Sequence, residues 1–330
     1  MPEVRLLSGK DVETLLSMDE AISVLESAFT ELIEGRVVMP VRTPIRNEDA
    51  DGVALFMPAF LPSLSALGAK IVTVYPHNPT KFSLPAVMGT VMLLDPATGA
   101  PVCIMDAGYL TAMRTGAVSG VATKYLARED AKVHSILGTG VQARTQAWAV
   151  ATVRKLEKCL VHSIDPMDKK QAFAKEVESL TGVSTGVADS AESAVAEADI
   201  LTLATSSASP VLSGEWLKPG THINAIGSHA PKMRELDTLT VQRSKVVVDS
   251  LTACQAEAGD FIIPVSENAW SWDKVYAELG ELTSKKKQGR ENPSEITLFK
   301  SVGLAIQDIS TAKLVLQKAI NLSIGQIAVL

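Results

Sequence analysis

Gly138-Thr139-Gly140-Val141-Gln142-Ala143 has the spacing G-x-G-x-x-A, a backbone pattern that can lie against a pyrophosphate. Alone the string is weak, because glycine pairs are common. Its setting strengthens it: the apolar run VHSIL (133–137) precedes it and a helical pattern follows, so the turn is expected to join a strand to a helix N-terminus that faces an anion. Gly138 would permit the tight turn, Gly140 the close approach of backbone to phosphate, and Ala143 the packing of helix on strand. The next apolar run, LVHSI (160–164), leads to Asp165, 22 residues beyond Ala143. A carboxylate there accepts hydrogen bonds from both hydroxyls of an adenosine ribose and repels a 2′-phosphate, so NAD is expected over NADP. Such strand-turn-helix units also serve flavins or S-adenosyl groups, and an ordinary turn with Asp165 as a strand-end cap is the bland alternative.

The elements around this turn read as two kinds of structure. At 330 residues, with 46% hydrophobic and 21% charged residues, the chain is long enough for two soluble globular domains. Ser17-Met18-Asp19-Glu20 has capping-box spacing, and Ile22, Leu25, Phe29, Leu32 and Ile33 then recur on one helical face until Gly35. From Val37 to about Met105, short apolar runs broken by prolines and glycines predict a mixed or antiparallel sheet. An alanine-rich helix is expected from about Tyr109 to Tyr125. After it, VHSIL, LVHSI, ADILTLA (198–204), HINAIG (222–227) and KVVVDS (245–250) alternate with helical patterns, the texture of a parallel sheet covered on both faces. A last apolar helix, about Leu304 to Ile320, is expected to pack back onto the first domain.

Composition also narrows the partners. A net charge of −6 without a basic stripe disfavours nucleic acid. The start, MPEVRLLSGKDVE, lacks the apolar core of a secretion signal, and the C-terminal apolar stretch is broken by Asp308, Lys313 and Lys318, so neither secretion nor membrane spanning is expected. Cys103, Cys159 and Cys254 are odd in number and far apart, which supports neither a disulfide framework nor a zinc site and fits a cytoplasmic protein.

Segments across nearly the whole chain resemble the ornithine cyclodeaminase and mu-crystallin family, which includes archaeal alanine dehydrogenases and ketimine or cyclic-imine reductases. They are MPVRTPIR (39–46), FMPAF (56–60), GAKIVTVYPHNP (68–79), MDAGYLTAMRTGAVSG (105–120), ILGTGVQA (136–143), GEWLKPGTHINAIG (214–227), REL (234–236) and FKSVGLAIQD (299–308). The resemblance implies an α/β protein in which a Rossmann dinucleotide-binding domain, 121–304, is inserted into a discontinuous α+β substrate and dimerisation domain, 1–120, with a C-terminal helix segment, 305–330, returning to it. It implies a homodimer, and hydride transfer between NAD and the α-carbon of a small amino acid or its imine.

Residue by residue, the resemblance assigns Arg42, Lys70 and Arg114 to the substrate carboxylate, an anion that a guanidinium fork can hold with two parallel bonds. Lys70 stands in the apolar run GAKIV, where an ammonium is expensive unless it meets an anion. Arg42 and Arg114 are otherwise readable as salt bridges. Thr115 joins the glycine turn in the cofactor set, and Asp308 matches a family acid, with helix N-terminal stabilisation as its alternative. His229 occupies a place where the cyclodeaminases carry an aspartate. An imidazole retains acid–base chemistry but not the anionic pairing with a distal ammonium, which tilts the expectation toward an imine reductase or amino-acid dehydrogenase. Ornithine cyclodeamination and a mu-crystallin-like binding role are the alternatives. His77 lies where it could face substrate; His134, His162 and His222 are expected in or beside strands.

Overall fold

The computed structural model describes residues 3–329, which divide into two compact units. The first takes in the chain up to Arg114 and again from Leu304; the second is Thr115–Gly303.

The first unit opens with strand β1 (Glu3–Leu7) and a short helix, α1 (Gly9–Leu15), capped by Ser8. Only Val12 and Leu15 of α1 are buried, too few to announce it by periodicity. In α2 (Met18–Ile33) Glu20 reaches back to accept from the Ser17 N–H (3.4 Å), and Ile22, Leu25 and Phe29 are buried along one face. The strands β2 (Thr43–Asn47), β3 (Gly52–Leu61), β4 (Ala66–Val74) and, after the one-turn helix α3 (Asn78–Lys81), β5 (Val87–Leu94) form an antiparallel meander. Strand β6 (Pro101–Asp106) joins it, antiparallel to β5 and parallel to β1. Along β4, Ala66, Gly68, Lys70 and Val72 are buried while Ile71 is exposed, so the period of two puts Lys70 on the core side. Helix α4 (Gly108–Leu126) then carries the chain into the second unit.

That unit alternates β7 (Val133–Leu137), α5 (Val141–Val153), β8 (Lys158–His162), α6 (Met167–Thr181), β9 (Ser184–Val187), α7 (Ala191–Glu197), β10 (Ile200–Leu203) and β11 (His222–Ala225). It continues with α8 (Thr238–Arg243), β12 (Lys245–Val248), α9 (Leu251–Glu257), α10 (Gly259–Ser266), β13 (Val275–Glu278), α11 (Leu279–Thr283) and β14 (Thr297–Lys300). Every neighbouring pair is parallel, in the order β13-β12-β14-β11-β10-β7-β8-β9. The winding direction reverses between β7 and β10, the switch point where sheets of this kind open a crevice at their carboxyl edge. Strand β8 stops at His162, where its pairing with β7 ends at Leu137, so Ser163 and Ile164 belong to the following loop rather than to the strand.

Helix α12 (Ala305–Asn321) and strand β15 (Gln326–Val329) return to the first unit. The helix packs on α2, β3, β4 and β5, and β15 pairs antiparallel with β1, completing the mixed sheet β15-β1-β6-β5-β4-β3-β2. Its inner face is covered by α12; its outer face leaves Phe56, Ile71, Met88 and Met92 exposed. Among the described residues no helix is long and apolar enough to cross a membrane, no group of side chains is arranged to hold a metal ion, and the three cysteines are buried and unpaired.

Candidate active site

In the first unit, three of the predicted residues converge. Lys70, 1% exposed on β4, places Nζ 2.8 Å from Oδ1 of Asp308 in the first turns of α12. The same oxygen accepts from Nε of Arg114 (2.9 Å), and Arg114 Nη1 donates to Gln307 Oε1 (2.6 Å). Asp308 is therefore an ion-pair partner of two cations, besides standing in the first turn of α12, where a carboxylate favours the helix N-terminus. Among the described residues its other oxygen, Oδ2, has no hydrogen-bond partner, and neither has Nε2 of the neighbouring Gln307, though both residues are fully buried. Burial pushes the Lys70 pKa down to about 8; the Asp308 charge opposes that shift, while Arg114 and the half-buried Arg42 add to it.

Two cations against one carboxylate leave a buried surplus of positive charge, which is costly until an anion meets it. The cluster can thus take a carboxylate, with one free acceptor and one free donor beside it for a further polar group.

In the second unit, Gly138 adopts φ 120°, and a Cβ there would stand 2.5 Å from the carbonyl oxygen of Ala204. At Gly140, the N-cap of α5, a Cβ would meet nothing within 4 Å, and Gly140 and Val141 are exposed. The first N–H groups of a 13-residue helix are thereby left open to an anion, as a pyrophosphate requires. Asp165 Oδ2 accepts from the hydroxyls of Thr139 and Ser163, and these bonds, Thr139's first, hold its carboxyl below the usual range. Thr115, buried, accepts at its carbonyl from Gln146 Nε2 (2.9 Å), and Gln142 Oε1 is a buried acceptor without a partner. These residues fit a dinucleotide.

His229 follows β11 on an exposed loop, its Nδ1 2.9 Å from the Gly227 carbonyl oxygen, so that nitrogen carries the proton. His77 is exposed and 3.6 Å from Asp51. His134 and His222 are buried on β7 and β11 against Thr202, Thr297 and Asn224, and burial pushes both pKa values down to about 3. Gln307 went unnoticed in the sequence, where it is one of several polar residues along the last helix.

A two-unit chain with a switch point in the parallel sheet of one unit and a buried cation pair in the other belongs to the ornithine cyclodeaminase/mu-crystallin family, whose model matches residues 3–322. The chain is 41% identical over 322 residues to a Delta(1)-pyrroline-2-carboxylate reductase of Bacillus cereus, covering 97% of this chain and 98% of that one. Among solved structures it is similar to Thermococcus litoralis Delta(1)-pyrroline-2-carboxylate reductase in complex with NADH and L-proline, at 48% identity and a TM-score of 0.95, covering 98% and 99% of the two chains. It is similar also to an archaeal alanine dehydrogenase dimer with bound NAD, at 36% identity and a TM-score of 0.93, covering 99% of each.

Proposed function

We propose that this chain is an NAD-dependent imine reductase delivering hydride to the α-carbon of a small imino acid, with Delta(1)-pyrroline-2-carboxylate the leading substrate and pyruvate with ammonia the second. The observation that carries this reading is the cluster of Lys70, Arg114 and Asp308: its surplus charge suits a single carboxylate, and its free acceptor suits an N–H. The two similar reductases act on a substrate of that description.

Arg114 and Lys70 grip the carboxylate and Arg42 adds a third positive charge, so the α-carbon is held in one place, which is most of what the protein contributes. Asp308 Oδ2 accepts from the imine N–H and favours the protonated, more electrophilic form. His229 supplies the proton. Gly138, Thr139, Gly140, Val141 and Gln142 hold the pyrophosphate, with Thr115 in the same set, and Asp165 takes the adenosine ribose hydroxyls. When bound, the dinucleotide supplies the hydride. The unit that runs to Arg114 and again from Leu304 is the substrate and dimerisation part, and Thr115–Gly303, which begins six residues earlier than the resemblance implied, is the dinucleotide part.

A second copy of the chain is the occupant we assign to the outer face of the mixed sheet, where exposed Phe56 lies opposite exposed Ile71 and exposed Met92 stands on the same face opposite Ala69; the archaeal alanine dehydrogenase is a dimer. The unpaired cysteines support a cytoplasmic setting.

The test is an NADH-oxidation assay on Delta(1)-pyrroline-2-carboxylate and on pyruvate with ammonia, beside an ammonia-release assay on ornithine. The pyrroline substrate is expected to be fastest and ornithine to give weak or no turnover; ornithine conversion outrunning imine reduction would sink the reading. His229→Ala should slow reduction without lowering the melting temperature.

A further inference from the structure

A second buried lysine–aspartate pair lies in the second unit. Lys300, at the end of β14, and Asp260 of α10 are both fully buried, with Nζ 2.8 Å from Oδ2. The other oxygen of Asp260 accepts from the N–H groups of Glu235 (2.7 Å) and Leu236 (3.0 Å), and so fixes the backbone that presents Glu235. Glu235 is itself fully buried. Its Oε1 accepts from the N–H (2.7 Å) and hydroxyl (2.8 Å) of Thr205, and its Oε2 from the N–H groups of Gly227 (2.7 Å) and Ser228 (3.1 Å). One carboxylate thus ties the segment leaving β10 to the segment leaving β11. The two are pressed so closely that a Cβ at Gly227 would collide with both Thr205 O and Glu235.

These segments stand at the carboxyl edge of the sheet, on the β10 side of the switch point. The glycine turn follows β7, and Asp165 follows β8 on the other side. With the pyrophosphate on the turn and the adenosine ribose toward β8, the remaining half of a dinucleotide extends toward β10 and β11. We propose that Glu235 is a positioning residue for the nicotinamide half of the cofactor, setting the backbone of Thr205–Ser207 and Gly227–His229 through its four accepted hydrogen bonds. The proposal rests on the reading of this unit as an NAD site.

Glu235→Gln tests it. The amide keeps the size but turns two donors toward N–H groups, so one of the two segments is released. Calorimetric titration compares NADH with ADP-ribose, which shares the adenosine, ribose and pyrophosphate but lacks nicotinamide. The NADH Kd is expected to rise about tenfold or more while that of ADP-ribose stays within about twofold. An equal change in both, or an unchanged NADH Kd, overturns the role of Glu235. A parent chain that binds neither ligand overturns the NAD reading and this proposal with it. If circular dichroism shows Glu235→Gln unfolded, Thr205→Val carries the same comparison by removing one of the four donors. A selective NADH loss of about threefold is then expected, and an unselective or absent loss overturns the proposal.

Discussion

Lys70 on β4 and Lys300 on β14 are near twins: each is at most 1% exposed, and each meets an aspartate 2.8 Å away from within an apolar stretch of strand. Their aspartates differ. Asp260 gives one oxygen to Lys300 and the other to two backbone N–H groups, and the chain of bonds runs on into Glu235, where both carboxylate oxygens are occupied. Asp308 gives one oxygen to two cations and keeps the other, beside a glutamine nitrogen that also lacks a partner. A closed network uses its hydrogen bonds to hold backbone in one shape. An open one of the same burial retains unmet polar groups, and a ligand that meets them gains the full difference.

The contrast breaks most visibly at the aspartates themselves. Asp260→Ala should strand Lys300 and free two buried N–H groups, at a cost of about 3–5 kcal/mol in urea unfolding. Asp308→Ala should cost less, because Lys70, its pKa already pushed down to about 8, can shed its proton, and Arg114 keeps its bond to Gln307. Equal losses would erase the distinction. Next in size, Arg114→Ala removes a fork from the open cluster alone: imine reduction should fall by about a hundredfold or more in kcat/KM while the NADH Kd, by fluorescence titration, is unchanged. Undiminished turnover would make Arg114 a structural salt bridge.

The third prediction uses Lys70's protonation. Its ammonium is the form that can hold a carboxylate, so reductive kcat/KM should fall about tenfold per pH unit above about 8. Stability moves the other way. The folded value lies below the ordinary 10.5, so between about pH 8 and 10.5 the unfolded chain binds the extra proton, and the burden of a buried charge is lifted as pH rises. Measured relative to Lys70→Met, the parent should gain stability across that window. A flat difference would mean that the lysine is not desolvated. The smallest effect is expected at the partly closed carboxylate: Asp165→Ser should improve NADPH use relative to NADH on the order of tenfold. A parent that already prefers NADPH removes this assignment.

The parallel sheet was legible because VHSIL, HINAIG and KVVVDS are short, Val/Ile/Leu-bearing runs of strand length that alternate with helical patterns, and the strands they form are largely buried. The meander was legible from its short apolar runs broken by prolines and glycines. Helix α1 was not, since seven residues with two buried side chains carry no period. Lys70 could be read as a lysine in want of an anion, but nothing local says which anion. Asp308 lies 238 residues away, and no spacing rule spans such a distance. Lys300, in the apolar strand TLFK, gave the same signal and passed unread, and Glu235 appeared only as the middle letter of REL. Buried networks are made by topology, and topology is what a linear pattern encodes least directly.

The long separation of Lys70 from Asp308 also sets a clock. At about 5–20 residues added per second, the lysine is made on the order of ten to fifty seconds before the carboxylate it pairs with. Throughout that interval a nascent β4 carries a cation without the counter-ion it will later meet, and β1 waits for β15, which is made later still. The whole of Thr115–Gly303 is synthesised in between and can fold as its own unit. Assembly of the Lys70–Arg114–Asp308 cluster is therefore a late event in the chain's birth, possible only after every strand of the second unit has been made.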